Sequence, residues 1–477
     1  MRLPYIRLRT DSTAPRYVQI AEQLVEGIRR REWKYGEKLP GVRELSNHLN
    51  VSLETIQRAY HVLQEQGWVE SKSRRGTTVS ANVVTSPIPL PKPDAEKHAR
   101  FVHELRRSSN LPGIIPVSGG SPGADMDQLK FFQAHAHECV RLATMEESFD
   151  PFGIPELRSR LQGWLTLYGA YSRLEQLCVV SGTQQALQLI ASLEVTQDSI
   201  VFVPEMCYLA AAEIFRDHGA HIRTLSIGSD GIDLRPLEQA LKSKRVSLVY
   251  TMPNGLYPTG WSYSIDQKQK LVEWSQTYQF TLVEDDYYAG FYYPEKPPVS
   301  LLSLAKPTTP LYYLASFSHL THPSFRLGMM VCPNEAVQKM ERKKFLADSH
   351  TSTLNQHFLL KLFESESLED SLSLKRAVYR QRRTDALVSC ARWLPTACTY
   401  HPSDCGFSSW VTTPQKLGFS FFYACLEAGV LVMPDEAFSL TDTHAGFQIN
   451  FAGIEAQYLD EGIRRIARVL HHLYRHR

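Results

Sequence analysis

SFSHLTHPSFRLG, residues 316–328, is the most informative stretch of this 477-residue chain. It follows an apolar run, residues 311–315, and contains Ser316, Ser318 and Arg326. Two hydroxyls and a guanidinium near one strand end suit a phosphate group, because the planar guanidinium fork fits two phosphate oxygens at once. The stretch therefore predicts a phosphate site at the end of a buried strand.

Short apolar runs recur on both sides of this stretch, and segments of helix length separate them. The runs are residues 178–180, 200–203, 222–227, 246–250, 280–283, 311–315 and 329–332. Such alternation predicts an α/β domain whose mainly parallel sheet is covered by helices on both faces. Ligands of these sheets bind beyond the carboxyl ends of the strands.

Two more loops lie at such strand ends. SGTQQA, residues 181–186, is a small-residue turn that opens a helix, and its free amides suit a phosphate unless it is only an ordinary helix cap. EDDY, residues 284–287, places carboxylates where one of them could pair with a protonated ring nitrogen. The alternative is that these acidic residues cap the next helix.

The first 80 residues have a different pattern, with three amphipathic helices followed by two short strands. The segments are residues 17–31, 43–49, 53–67, 68–72 and 77–79. Ser52 stands where the N-cap of the third helix belongs. This order predicts a winged helix-turn-helix, whose third helix enters the major groove while the wing touches the DNA backbone.

Charge also points to DNA as the partner of this segment. Residues 1–80 hold 14 Lys and Arg against 9 Asp and Glu, whereas the remainder holds 38 against 41. Gln57 and Arg58 point away from the apolar stripe of the third helix, and Arg74 and Arg75 form the turn between the strands. The alternative for each side chain is an ordinary solvated face, but the set favours double-stranded DNA.

A proline at every second position of SPIPLPKP, residues 86–93, predicts an extended connection of about 3.1 Å per residue. The predicted domains are therefore a winged helix-turn-helix at residues 14–80, a linker with a connecting helix at 81–114, and a large domain at 115–477.

Composition excludes several other classes of protein. Hydrophobic residues make up 43% and charged residues 21%, which is typical of a globular chain. No run of 18 apolar residues and no signal-peptide pattern occurs, so we expect a cytoplasmic protein without a membrane partner. The eight cysteines lack the spacing of zinc ligands, so we expect buried thiols and no metal site.

The motifs of the first segment resemble the DNA-binding domain of GntR-family regulators. They are YVQI (17–20), LPGVREL (39–45), VSLET (51–55) and GT (76–77). The resemblance implies that Arg43, Thr55 and, in the wing, Thr77 contact DNA. The family usually has Ser at position 41 and Arg at position 53, so a lost base contact at Leu53, about 1–3 kcal/mol, predicts an operator of unusual sequence.

The large domain resembles fold-type I aminotransferases, which bind pyridoxal phosphate, and the whole chain resembles MocR-type regulators. Further matching motifs are GSP (120–122), PFGIPELR (151–158), YPTG (257–260) and EGIRR (461–465). The resemblance implies a phosphate cup of Gly182, Thr183, Ser316, Ser318 and Arg326. It also implies that Tyr208 stacks on the ring, that Asp285 holds the pyridine nitrogen and that Tyr287 holds the ring hydroxyl.

Two positions depart from the aminotransferase pattern. His319 stands where the family has the lysine that forms the Schiff base and shuttles the proton, and an imidazole does neither in that way. Gln448 replaces the arginine that clamps a substrate carboxylate, which removes about 1.5–3 kcal/mol of charge-assisted hydrogen bonding. The resemblance therefore implies a cofactor site, with His319 in it, that has no catalytic residue.

The resulting hypothesis is a transcriptional regulator that binds DNA through its head and senses a small-molecule effector in the large domain. The candidate ligand is noncovalent pyridoxal phosphate, a related vitamin B6 phosphate or a preformed amino-acid adduct. Family members form head-to-tail homodimers, so we expect one here. Two alternatives stay open, an active aminotransferase with an appended head and a vestigial pocket in a domain that only dimerises.

Overall fold

The computed structural model describes residues 15–29, 33, 37–65, 68–72, 76–80, 113–119, 126–147, 149–243, 246–365, 368–441 and 443–475. The chain divides into two compact units, Met1–Gly113 and Ile114–Arg477. Each unit has a core of its own and is described by itself. The predicted linker and the motif at residues 120–122 lie outside the described residues.

Three helices and a strand pair form the N-terminal unit. The helices are α1 (Arg16–Arg29), α2 (Val42–Leu49) and α3 (Leu53–Glu65), and the strands are β1 (Val69–Lys72) and β2 (Gly76–Val79). Ile20, Leu24, Leu45, Ile56 and Leu63 meet in the centre with no measurable exposure or nearly none. Their spacing along each helix produces one apolar stripe per helix, which is why this short segment has a core.

The turn between α2 and α3 is fixed by local hydrogen bonds. Asn50 adopts a left-handed conformation at the end of α2, with φ of 50°. Ser52 Oγ accepts a hydrogen bond from the Thr55 amide at 3.2 Å, so Ser52 caps α3 as predicted. The Tyr60 hydroxyl donates to the Pro40 carbonyl at 2.6 Å and ties α3 to the segment before α2.

The strands β1 and β2 are antiparallel, with Val69 opposite Val79. The Leu39 amide donates to the Thr77 carbonyl at 3.0 Å, so the chain before α2 also pairs with β2. The winged helix-turn-helix prediction is thereby confirmed in its order of elements, while the turn at residues 73–75, with Arg74 and Arg75, lies outside the described residues.

A seven-stranded sheet forms the centre of the large unit. Its strands are β4 (Leu177–Val180), β5 (Ile200–Pro204), β6 (His221–Leu225), β9 (Leu248–Thr251), β10 (Thr281–Asp286), β11 (Leu311–Ser316) and β12 (Gly328–Val331). Their order is β4-β12-β11-β10-β9-β5-β6, and only β12 runs antiparallel to its neighbours. The predicted mainly parallel sheet is confirmed.

Two predicted runs differ from the strands in their limits. The run at residues 222–227 is divided at Ser226, after which β7 (Ile227–Gly228) pairs with β8 (Gly231–Ile232). The strand β10 continues through Asp286, so the acidic residues 284–286 lie within the strand and not in the loop after it. Each of the three carboxyl groups accepts at least one hydrogen bond from a neighbour in the fold.

Helices cover this sheet, as the alternation of the sequence predicted. They are α4 (Met126–Thr144), α5 (Pro155–Leu167), α6 (Thr183–Glu194), α7 (Leu209–Asp217), α8 (Arg235–Ser243), α9 (Ile265–Tyr278), α10 (Leu301–Leu304), α11 (Val337–Asp348) and α12 (Thr353–Glu364). The strand residues are almost all buried except in the edge strand β6, of which only Leu225 is buried, and such burial is expected when helices lie on both faces of a sheet.

A smaller antiparallel sheet, which the sequence did not predict, follows in the chain. Its order is β13 (Thr399–His401), β14 (Ser408–Thr412), β17 (Gly446–Asn450) and β16 (Met433–Pro434). A further pair joins β15 (Val430–Leu431) to β3 (Ile115–Pro116). The helices of this region are α13 (Leu368–Trp393), α14 (Gly418–Glu427) and α15 (Ala456–Arg475).

None of the helices that the structure describes is long and apolar enough to cross a membrane. All eight cysteines are free, and all but the partly exposed Cys398 are buried.

Candidate functional site

Three chain segments meet at the carboxyl end of β4 and β11, and we call their meeting place the phosphate end of the site. The segments are residues 181–183, 316–318 and 326–328. Ser316 lies opposite Gly328 in the β11–β12 ladder. A Cβ atom on Gly328 would lie 3.3 Å from the Gly182 Cα, so the first segment packs directly against the third.

Gly182 is required where it stands. It precedes α6 with φ of 89°, a conformation that side chains with a Cβ rarely adopt. A Cβ atom here would also lie 2.7 Å from Arg326 Nη2. The exposed guanidinium of Arg326 thus covers the start of α6, where Thr183 is the first helical residue and the unpaired amides of the first turn point outward.

The two predicted serine hydroxyls lie at the end of β11 and just after it. Ser316 and Ser318 are both buried, and the Ser318 amide donates to Ser316 Oγ at 3.4 Å. The structure brings Gly182, Thr183 and Arg326 together at the start of α6, although Thr183 and Arg326 are 143 positions apart, and Ser316 lies opposite Gly328, which packs against Gly182. That the five residues form a phosphate cup stays a prediction.

A hydrogen-bonded chain that sequence reasoning missed supports the phosphate end from behind. Gln185 Oε1 accepts from the Ser181 amide at 2.7 Å, and Gln185 Nε2 donates to Asp348 Oδ2 at 2.7 Å. Asp348 Oδ1 in turn pairs with the fully buried Lys344 at 2.5 Å. The only signal in the sequence is the i, i+4 spacing of Lys344 and Asp348, which gives no hint of their contact with Gln185.

Asp285 is the carboxyl group at the centre of the site. It is 4% exposed, and its Oδ2 accepts from the Tyr250 hydroxyl at 2.9 Å. Its Oδ1 is buried and has no hydrogen-bond partner among the residues that the structure describes. Burial raises the pKa of Asp285 to about 7. A protonated ring nitrogen would satisfy Oδ1 and stabilise the carboxylate.

The neighbouring carboxyl groups have other roles, which agrees with the alternation of side chains along a strand. Glu284 accepts from the Leu301 and Leu302 amides, each at 2.9 Å, and so caps α10. Asp286 accepts from the Tyr313 hydroxyl at 2.7 Å. Capping of the following helix, the alternative considered for this motif, thus describes Glu284 but not Asp285.

Tyrosines line the region around Asp285. Tyr208 is half-buried at the start of α7 and close enough to Tyr250 to contribute to the raised pKa of its hydroxyl, which is due first to burial. Tyr287 and Tyr208 both lie near the half-buried Tyr257 and raise its pKa after the larger effect of desolvation. The four rings therefore form one neighbourhood.

His319 lies among aromatic rings, and with Gln448 it forms what we call the reactive end of the site. The ring centroid of His319 is 4.6 Å from that of Tyr287 and 4.4 Å from that of Phe407, both in edge-on contact. Both ring nitrogens are buried without a hydrogen-bond partner in the described part of the chain. Burial lowers the pKa of His319 to about 3, so the imidazole is neutral at pH 7.

Gln448 is also fully buried and uncharged. It lies on β17 opposite Trp410, and its Nε2 donates to Ser408 Oγ at 3.0 Å. A carboxamide offers no positive charge to a carboxylate.

The residues proposed for DNA contact lie on α2, α3 and β2. Arg43, Gln57 and Arg58 are exposed, and Arg58 pairs with Glu54 at 3.1 Å. Thr55 is half-buried with its Oγ1 2.8 Å from Ser52 Oγ, so its hydroxyl takes part in the cap of α3.

Thr77 Oγ1 lies 2.8 Å from Ser71 Oγ across the wing, and Arg74 and Arg75 are outside the described residues.

Comparisons with known protein families match both units. The model of aminotransferase class I and II matches residues 132–466, and the model of the gntR family of bacterial regulatory proteins matches residues 16–79.

Individual relatives fall into two kinds. The uncharacterized HTH-type transcriptional regulator YdcR of Escherichia coli is 24% identical over 95% of this chain and 99% of its own length. The probable rhizopine catabolism regulatory protein MocR of Rhizobium meliloti is 23% identical over 96% of this chain and 94% of its own. The crystal structure of LysN, the α-aminoadipate aminotransferase of Thermus thermophilus complexed with N-(5′-phosphopyridoxyl)-L-leucine, is 28% identical, covers 78% of this chain and 95% of its own, and has a TM-score of 0.70.

Proposed function

We propose that this chain, which belongs to the class I and II aminotransferase family and carries the GntR-type DNA-binding domain of MocR-type transcriptional regulators, uses its large unit as a receptor for a vitamin B6 phosphate and not as an enzyme. Ligand held there without a covalent bond would alter how the N-terminal unit binds DNA. The regulator class rests on the two matched domains and on regulator relatives that match this chain over 94–99% of their own length.

The observation that carries the non-enzymatic part is His319. Pyridoxal phosphate supplies an aldehyde that condenses with primary amines and a ring that withdraws electrons from the product. A neutral imidazole has no primary amine, and its pKa of about 3 makes it a poor proton carrier near pH 7. The side chain at position 319 therefore provides hydrogen-bonding nitrogens to a ligand but neither the covalent anchor nor the general base.

The remaining residues fit such a ligand. Asp285 Oδ1 is a buried acceptor that lacks a partner among the described residues, and a ring N–H would supply the missing donor. Arg326 and the start of α6 suit a dianionic phosphate, since both present N–H groups. Micromolar affinity needs about −8 kcal/mol, which several phosphate hydrogen bonds and ring stacking against Tyr208 would reach.

Gln448 argues against amino acids as ordinary substrates. Loss of a charge-assisted pair lowers the affinity for a carboxylate by about ten-fold or more. The protein would therefore respond to the B6 phosphate itself, or to an adduct formed before binding, more readily than to a free amino acid.

A direct experiment combines ligand and DNA. Full-length protein is titrated onto labelled duplex from the promoter next to its own gene, with pyridoxal phosphate or with pyridoxal, which lacks the phosphate. We expect pyridoxal phosphate at micromolar concentration to change the apparent Kd for DNA and pyridoxal to have no effect. Unchanged DNA affinity together with undetectable binding of pyridoxal phosphate in a separate titration would refute the receptor role and favour a vestigial pocket.

The DNA surface has its own test. Arg43→Ala should weaken binding and reduce the slope of log K against log salt by about 1, because one phosphate contact is lost. The exposed Arg235, in the large unit, provides a matched control as Arg235→Ala. Equal effects of the two substitutions would show that Arg43 is not at the DNA.

An active aminotransferase remains the second candidate, because LysN is 28% identical to this chain. Transamination requires a lysine amine in the site, whereas a receptor for the B6 phosphate does not. Formation of keto acid from any amino acid by pure protein with pyridoxal phosphate would establish the enzyme and exclude the receptor as proposed.

Assembly is the last part of the proposal. Proteins with the aminotransferase fold are typically dimers, and we propose a head-to-tail homodimer that presents two DNA-binding units. Exposed apolar side chains on the large unit support burial against a second copy, among them Met145, Tyr171 and Leu346, each at least 65% exposed. Light scattering of the full chain should give twice the mass of 54.3 kDa.

A further inference from the structure

Leu53 is an apolar side chain that the fold of the N-terminal unit does not use. It is the first residue of α3 and is 45% exposed, the one large hydrophobic side chain with such exposure among the described residues 15–80. Ile56, Ala59 and Leu63 of the same helix are fully buried. Packing of this unit therefore does not explain a leucine at position 53.

The polar side chains beside Leu53 favour one kind of base. Gln57 follows one turn later, about 6 Å along the helix axis, and is exposed. A glutamine carboxamide matches the donor and acceptor of adenine in the major groove. Arg58, which could read guanine, is paired with Glu54 at 3.1 Å. The start of α3 therefore presents a methyl-rich group, a carboxamide and a guanidinium that already pairs with a carboxylate.

We propose that α3 recognises an A·T element in the operator, in which Leu53 packs against the 5-methyl group of thymine and Gln57 bonds to N6 and N7 of adenine. This inference rests on the proposed DNA-binding role of the N-terminal unit and adds the base class that it selects. Thymine is the one base whose major-groove edge carries a methyl group, so it is the base with which an exposed leucine can make an apolar contact. Leu53 and Gln57 then act as the specificity-determining pair.

The test uses the full chain and the loss of a single methyl group. Bound sequences are first selected from a random duplex pool, and each thymine of the consensus is then replaced in turn by deoxyuridine. We expect one of these replacements to lower the affinity of the wild-type protein for the duplex about four-fold, because the contact with one buried methyl group is lost. Leu53→Ala should bind the thymine and the uracil duplex equally well.

Gln57→Ala provides the second readout, because the loss of a bidentate adenine contact should weaken binding about ten-fold. Gln64→Ala, an exposed glutamine nearer the end of the same helix, is the matched control and should bind as the wild type does. Two results would overturn the inference. The first is a consensus that the wild type binds equally well after any of its thymines is replaced by uracil. The second is a consensus with G·C pairs where α3 binds. Failure to enrich any sequence would instead refute the DNA-binding role on which it rests.

Discussion

The phosphate end and the reactive end of the candidate ligand site differ in the charge and hydrogen-bonding capacity of their side chains. At the phosphate end, Gly182 and Arg326 meet at one helix start, and Ser316 lies opposite Gly328, which packs against Gly182. At the reactive end, His319 and Gln448 are buried and neutral. Under the proposed function, the phosphate end would hold the ligand and the reactive end would supply no amine to react with it.

This contrast has an energetic basis. The phosphate end needs a particular backbone, because Gly182 has a φ of 89°, which residues with a Cβ rarely adopt. At the reactive end, both ring nitrogens of His319 and Oε1 of Gln448 are buried without a hydrogen-bond partner among the described residues. We therefore expect binding of pyridoxal phosphate to depend on the phosphate end and not on the reactive end.

Arg326→Ala should lower the affinity for pyridoxal phosphate about 10- to 100-fold, because a charge-assisted pair is lost. The measurement is a titration followed by ligand absorbance, repeated with pyridoxal. The variant should bind the two ligands almost equally, whereas the wild type prefers the phosphate. An unchanged preference in the variant would show that the phosphate binds elsewhere.

Gln448→Arg should raise the affinity for N-(5′-phosphopyridoxyl)-L-leucine about ten-fold, since a guanidinium would pair with the leucine carboxylate. Affinity for pyridoxal phosphate, which has no such carboxylate, is the internal control and should not change. The Tm of the unliganded variant is measured in parallel, because a guanidinium in this buried position carries a desolvation penalty. Equal gains for both ligands would show that position 448 does not face a carboxylate.

Gln185→Ala should weaken binding of pyridoxal phosphate about five-fold, a loss of about 1 kcal/mol, because the Ser181 amide and Asp348 would lose their shared partner. The adjacent and exposed Gln184 provides the control as Gln184→Ala. If both substitutions have the same effect, the hydrogen-bonded chain behind the phosphate end has no role in placing it.

Asp285→Asn should change the pH dependence of stability. Since burial raises the pKa of Asp285 to about 7, the folded state holds this proton more tightly than the unfolded state. Its contribution to the free energy of unfolding therefore falls as the pH rises from about 4 to 7.

The asparagine variant does not lose this contribution to the free energy of unfolding. The difference between its Tm and the wild-type Tm, both measured without ligand, should therefore increase in favour of the variant by about 2–4 °C between pH 4 and pH 8. Asp217→Asn, at an exposed aspartate, is the control and should show no such trend. A constant difference for Asp285→Asn would mean that the carboxyl group ionises normally.

Much of the fold could be predicted from local signals. Ser52 is a strong N-cap and the buried stripe of α3 has helical spacing, so the helix-turn-helix could be predicted from the sequence. Continuous apolar runs separated by helices likewise predicted the parallel sheet. The limits of β10 were missed because its last three residues are acidic, and only tertiary partners such as Tyr250 and Tyr313 keep them within a strand.

The rest depends on contacts between distant residues. The small antiparallel sheet has strands of two to five residues, and its central pair joins Ser408 to Asn450, so no local pattern reveals it. The link between Gln185 and Asp348 spans 163 positions. For the site, the residue types came from motifs. The structure was needed to show that Oδ1 of Asp285 has no hydrogen-bond partner among the described residues and that His319 lies among aromatic rings.

The central claim is that no amine of this protein bonds covalently to its ligand, and one measurement tests it directly. Full-length protein is incubated with pyridoxal phosphate, reduced with borohydride and digested, and its peptides are weighed by mass spectrometry. We predict no pyridoxyl label in the wild type and a single label at position 319 in His319→Lys. A stoichiometric label on one lysine of the wild-type site would contradict the account.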